Sequence, residues 1–186
     1  MELVRVVAPP DDPPRRRDWA EIENELGRLP ADYKHIIDTY GPGRFRSCIR
    51  VWSPEQILDR RRQLGNLLGM LKFYSGQGAY SVDVAPLGVG AEAVGGVDDF
   101  YLPWGEGRRG TIGLWRTTRG TPNGWPVLLM SLGAIDYESG GLAAYLVGNL
   151  TGRFRSIVVD NDIVQARSFE SETPAPPPDC RDVHDD

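Results

Sequence analysis

The stretch DWAEIENELGRLPADYKHIIDTYGPGRF, residues 18–45, constrains the fold more than any other part of the chain. Asp18 is placed to accept hydrogen bonds from the free amides of a first helical turn, with Glu21 three residues on as in a capping box. Trp19, Ile22 and Leu26 then share one face of a helix, and Gly27 supplies the stop. A second helix starts at Pro30, where the missing N–H costs nothing. It carries Tyr33, Ile36, Ile37 and Tyr40 on one side at i, i+3, i+4 and i+7, and closes at Gly41-Pro42. Two short amphipathic helices of this kind cannot bury their apolar stripes alone and need a further layer to cover them.

That layer is expected from the rest of the chain. FRSCIRVW, residues 45–52, alternates as a strand. SPEQILDRRRQLGNLLGMLKFY restarts a helix, with Ser53 as cap, Pro54 at the first position and Gln56 at the third. Its apolar side carries Ile57, Leu64, Leu67, Leu68 and Leu71, and Gly65 and Gly69 weaken it by roughly 1 kcal/mol each. From residue 79 the sequence turns glycine-punctuated and β-rich. FYLPW, GTIGLWRTT and WPVLLMSL read as successive strands, joined by WGEGRRG and RGTPNG. SGGLAAYLVGNLTG returns to a helical period through Leu142, Tyr145, Leu146 and Leu150, with Gly152 as stop, and RFRSIVV reads as a last strand. Helices, a meander and a closing helix predict an α+β domain with an antiparallel sheet of about four to six strands flanked by helices. The expected limits are an extended arm over 1–16, a folded unit over 17–165, and a disordered, Pro-rich acidic tail over 166–186.

Charge and composition narrow the function classes. The chain has 186 residues with 40% hydrophobic and 25% charged side chains, ordinary for a globular domain. Its net charge of −5 is uneven: residues 1–93 hold 13 Lys plus Arg against 13 Asp plus Glu, and residues 94–186 hold 8 against 13. A diffuse acidic surface argues against nucleic-acid binding, which needs a basic stripe. MELVRVVAPPDDPP lacks the apolar core of a signal peptide, and no apolar run approaches the length of a membrane span. With two cysteines, Cys48 in a strand and Cys180 in the tail, the expectation is a reduced cytoplasmic protein without a membrane role.

A search for chemistry returns little. Of the two histidines, His35 sits beside a helical apolar stripe as a surface or structural residue, and His184 is in the tail. No Cys/His spacing fits a metal site, no serine has a nucleophile-elbow context, and LGVGAEAVGG is neither a dinucleotide-binding fingerprint nor a P-loop. Asp98 and Asp99 are neighbours, and Asp136 and Glu138 can share a face. Neither pair has the apolar frame that would raise one carboxyl's pKa. Trp104, Trp115 and Trp125 either fill the core or line a recognition groove. No catalytic residue, metal or cofactor is expected.

The residues Trp19, Ile22, Glu23, Leu26, Leu29, Pro30, Asp32, Tyr33, Lys34, Tyr40, Gly41 and Gly43 together resemble the N-terminal signature of the SMI1/KNR4 superfamily, the SUKH domains. The order of the later elements is similar, through WPVLLM and GLAAYLVGNLTG. The helix over 54–73 and the LGVGAEAVGG loop depart from that pattern. The resemblance implies an α+β domain without known catalytic residues. Bacterial members resemble immunity proteins that bind and block a cognate polymorphic toxin, often one that attacks nucleic acid. Fungal relatives are signalling scaffolds, so a regulatory interaction domain is the alternative. The implied partner is a protein, and the surface for it is expected on the β half, where the negative excess lies. Asp98, Asp99, Glu106, Asp136 and Glu138 are the candidate acids, with Tyr101, Trp104 and Tyr137 as aromatic anchors.

Overall fold

A computed structural model describes residues 2–61, 101–108, 110–117, 121–131, 135–154, 156, 158 and 168–172. In chain order the elements are α1 (Leu3–Val6), α2 (Trp19–Leu26), α3 (Ala31–Tyr40), β1 (Gly43–Phe45), β2 (Ile49–Val51), α4 (residues 54–61), β3 (Tyr101–Glu106), β4 (Ile112–Arg116), β5 (Val127–Met130), β6 (Ile135–Glu138), α5 (Leu142–Thr151) and β7 (Phe169–Ser171). The seven strands form one sheet in the order β6-β5-β4-β3-β2-β1-β7, and every neighbouring pair is antiparallel. The fold class is therefore α+β with an antiparallel sheet, as the element order predicts.

The opening helices form as their spacing requires. The Asp18 carboxylate accepts from the amides of Ala20 and Glu21, and Gly27 leaves the helix at φ +81°. Tyr33, Ile36, Ile37 and Tyr40 are all buried, and burial of each such side chain contributes about 1.5–3 kcal/mol. They pack with Leu142, Tyr145 and Leu146 of α5 against one sheet face that presents Leu102, Trp104, Trp115, Val127 and Leu129. Tyr33 meets Trp115 edge-on at 5.1 Å, and Tyr145 meets Trp104 at 6.0 Å. A Cβ at Gly113 would lie 2.5 Å from the Trp104 ring, so any larger residue there would collide with that indole. On the opposite face Leu114 and Leu128 are also fully buried, so the centre of the sheet is dry on both sides.

The residues of the opening signature lock the layers together. Glu23 accepts from the Lys34 ammonium at 2.8 Å and from the Leu29 amide at 2.9 Å, tying α2 to α3. Trp19 Nε1 donates to Asp38 at 2.9 Å. Asp32 accepts from the Ala143 amide at 3.0 Å and so caps α5, whose own N-cap is Gly141 with no side chain to do it. Tyr33 Oη donates to the Trp52 carbonyl and Tyr40 Oη to the Val7 carbonyl. At α4, Ser53 and Gln56 form a reciprocal capping box, 2.8 Å and 3.3 Å, as the sequence predicts.

Five expectations need correction. The 45–52 segment is a hairpin, not one strand. Its turn places Arg46 at φ +54° and Ser47 at φ +52°, closed by the Cys48 amide on the Phe45 carbonyl. Neither residue is a usual occupant of that region, and the strain is met by anchoring, because Arg46 donates to the Asn149 carbonyl of α5 at 2.9 Å. The arm over 1–16 is not loose: Leu3 and Val7 are buried and α1 packs on α5. The 166–186 tail contains β7, which pairs with β1 and seats Phe169 against Phe45 and Tyr40. Gly43 makes room for it, since a Cβ there would lie 2.4 Å from both the Phe169 ring and the Glu170 carbonyl. With the divided hairpin, β6 and β7, the strand count rises from about four to six to seven. RFRSIVV forms no strand among its described residues. Residues 62–100, which include Arg62, Leu64, Leu67, Leu68, Leu71, Lys72 and LGVGAEAVGG, lie outside the described residues, as do Cys180 and His184. Cys48 is a buried free thiol.

Candidate protein-interaction surface

Six of the eight residues expected to form a binding patch are described, and these six do not share one exposed surface. Asp98 and Asp99 lie outside the described residues. Trp104 has no exposed surface and belongs to the helix-facing core, so it cannot anchor a partner. Asp136 is 2% exposed and faces the same core, because its place opposite Leu129 puts it on the inner side of β6. Its carboxylate accepts the Tyr145 hydroxyl at 2.8 Å and the Ser156 hydroxyl, joining β6, α5 and the segment after it. Burial pushes the Tyr145 phenol far up, and the neighbouring Asp136 charge and hydrogen bond push it further. Tyr101 is 7% exposed on the outer sheet face.

Glu106 is held rather than offered. On the outer face it pairs with Arg50 at 3.0 Å and Arg44 at 3.6 Å, while Glu172, just past β7, reaches Arg50 at 2.7 Å and Arg44 at 3.8 Å. This four-charge lattice fastens the C-terminal strand across β1 and β2. Glu138 turns back onto the Gly140 amide at 2.7 Å. Of the eight, Tyr137 alone is an exposed aromatic, at 36%. Trp104, Glu106, Asp136 and Glu138 are therefore engaged within the fold, and the acidic binding patch expected on the β half is not formed by its described members.

An acidic surface is instead present on the helical half. A cleft of about 530 Å³ opens between α2 and α4, lined by Arg17, Asp18, Glu21, Ile22, Glu25, Leu26, Pro54, Glu55, Leu58 and Asp59. Its geometry follows from helical period. Glu21 and Glu25 stand one turn apart on α2, and Glu55 and Asp59 one turn apart on α4. Ile22, Leu26, Pro54 and Leu58 supply the apolar floor. Five carboxylates thus border the cleft against one guanidinium, and Arg17 is engaged by Glu55 at 2.6 Å. Partial burial raises the Glu55 carboxyl's pKa, but hydrogen bonds from Ser53, its own backbone amide and Arg17, with the Arg17 charge, bring it below the ordinary value. Asp18 is occupied as the helix cap. Glu21, Glu25 and Asp59 are exposed, and among the described residues they make no ion pair.

Beside it a smaller cleft of about 250 Å³ contains Arg28, Arg61, Tyr101 and Trp125, with Leu26 shared between the two. His35 is exposed on α3, away from both linings. Among the described residues no group of three His, Cys, Asp or Glu is placed to hold a metal ion. No helix of the described residues is long and apolar enough to cross a membrane.

The cleft acids were missed at the level of sequence because like charges at i, i+4 on a short helix read as a solvated face. The signal that could have found them is that such pairs are unfavourable, and that two occur on neighbouring helices. No protein-family model matches the chain, and comparisons with curated proteins and with solved structures found no match.

Proposed function

We propose that this chain is an immunity protein that binds and neutralises a cognate polymorphic toxin in the cytoplasm, without catalysis of its own. The observation that supports the reading is the cleft between α2 and α4, where exposed carboxylates stand over an apolar floor. A toxin that attacks nucleic acid must be basic where it meets phosphates. An acidic inhibitor surface complements that region, speeds encounter and blocks access to nucleic acid together. The resemblance of residues 18–45 to SUKH domains points the same way, and Asp18, Glu21, Ile22, Glu25 and Leu26 of that stretch line the cleft.

The reading expects a gene for a large secreted toxin beside this one, and the test is co-expression with that toxin's C-terminal domain. The reading expects restored growth and a complex that survives purification, with an association rate that falls steeply with salt. A host rescued to no extent, with no complex formed, contradicts it. Capture of a partner with no toxic activity would favour a regulatory interaction domain instead.

A further inference from the structure

We propose that the α2–α4 cleft seats a basic amphipathic helix of a protein partner, with apolar side chains on the Ile22, Leu26 and Leu58 floor and Lys or Arg reaching Glu21, Glu25 and Asp59. This rests on the reading of the chain as a protein-capturing module and names what that module grips.

Shape and charge together select the occupant. α2 is eight residues long, about 12 Å of helix, so the floor accommodates some two turns of a partner helix. A helix laid in a groove presents apolar residues at i, i+3, i+4 and i+7 downward and its flanks outward. The outward flanks here meet carboxylates from α2 on one side and α4 on the other. A small metal ion is a poor occupant, since no three acids converge among the described residues. An anionic ligand is repelled. The carboxylates carry a built-in cost: Glu21 and Glu25 repel at i, i+4, and Glu25 lies in the last turn of α2, where the helix dipole disfavours an anion. No cation occupies that last turn. A partner's cations would relieve both costs on binding, which gives the site its preference for basic over neutral helices.

The experiment compares the wild-type chain with E21K/E25K and with E138K/E170K, which changes net charge equally at the two far edges of the sheet, β6 and β7. The probe is a labelled 15-residue helical peptide with Leu at i, i+3, i+4 and i+7 and Lys on both flanks, with a Glu-flanked counterpart, read by fluorescence anisotropy. The wild type should bind the Lys peptide at least tenfold tighter than the Glu peptide. E21K/E25K should lose at least tenfold, while E138K/E170K stays within about twofold. Equal binding by E21K/E25K, or an equal loss in E138K/E170K, overturns the assignment. The toxin domain gives a separate arm. Loss of toxin binding in E21K/E25K supports the cleft. Retained toxin binding there overturns the cleft while leaving the immunity reading standing. Peptide selectivity without any toxin partner keeps the cleft and ends the immunity reading.

Discussion

Replacing Asp136 with Ala separates a structural acid from a binding one. The carboxylate is 2% exposed and accepts the hydroxyls of Tyr145 and Ser156. Removing it leaves two buried hydroxyls without that acceptor, each costing about 1–3 kcal/mol, so a total near 4 kcal/mol is expected. Against a typical domain stability of about 5–15 kcal/mol that is a large fraction. For a chain of this size it lowers the melting temperature by roughly 10 °C. Asp136→Asn keeps an acceptor oxygen and should lose about half as much. Tyr145→Phe removes one donor and should lose about 1–2 kcal/mol, and the double variant with Asp136→Ala should fall short of the sum, since the two share one bond. Urea unfolding followed by tryptophan fluorescence measures all four. A structural role for Asp136 is refuted if Asp136→Ala stays within about 0.5 kcal/mol of wild type, or loses partner binding at full stability.

Further outcomes follow from the same contacts. Glu25→Lys removes a like-charge pair and places a cation in the last turn of α2, so it should raise stability by about 0.5–1 kcal/mol while weakening partner capture; thermal melts and binding measured on one preparation check the opposition. Gly43→Ala drives a methyl into the Phe169 ring and the Glu170 carbonyl, so β7 should detach at a cost of about 1–3 kcal/mol, seen as faster hydrogen exchange at the Arg46 and Glu172 amides, which donate to Ser168 and Pro42. Burial raises the phenols of Tyr33 and Tyr145 and moves that of Tyr40 to about 12. Because the folded pKa values exceed the unfolded value near 10, this stabilisation is complete below pH 10 and is lost as pH rises toward 12 and beyond. A melting temperature unchanged from pH 9 to 12 would contradict it.

The parts of the fold legible in sequence were those set by local periodicity and capping. α3 announces its buried face because Tyr33, Ile36, Ile37 and Tyr40 repeat at helical spacing, and Ser53 with Gln56 announces the start of α4. The hairpin at Arg46-Ser47 was not legible, because its positive φ angles are held by Asn149 over a hundred positions away rather than by an Asn-Gly turn. Strand β7 was hidden by the acidic, proline-rich composition around it, since three residues and a pair of arginines suffice to hold it. The candidate site fared worse for a related reason. Residue type says that Trp104 and Asp136 are notable, but only the sheet register says that both point inward. The cleft acids are ordinary in sequence and become a site when α2 and α4 are set side by side, which depends on tertiary packing.

The proposed capture of a partner on the helical half, over α2 and α4 and not on the sheet, is open to a direct test. Hydrogen exchange of the chain alone and bound to its captured partner tests this most directly. Capture over α2 and α4 slows exchange in residues 19–26 and 54–61 and leaves β5 and β6 unchanged. Protection confined to residues 127–138, with α2 and α4 exchanging as in the free chain, would contradict it.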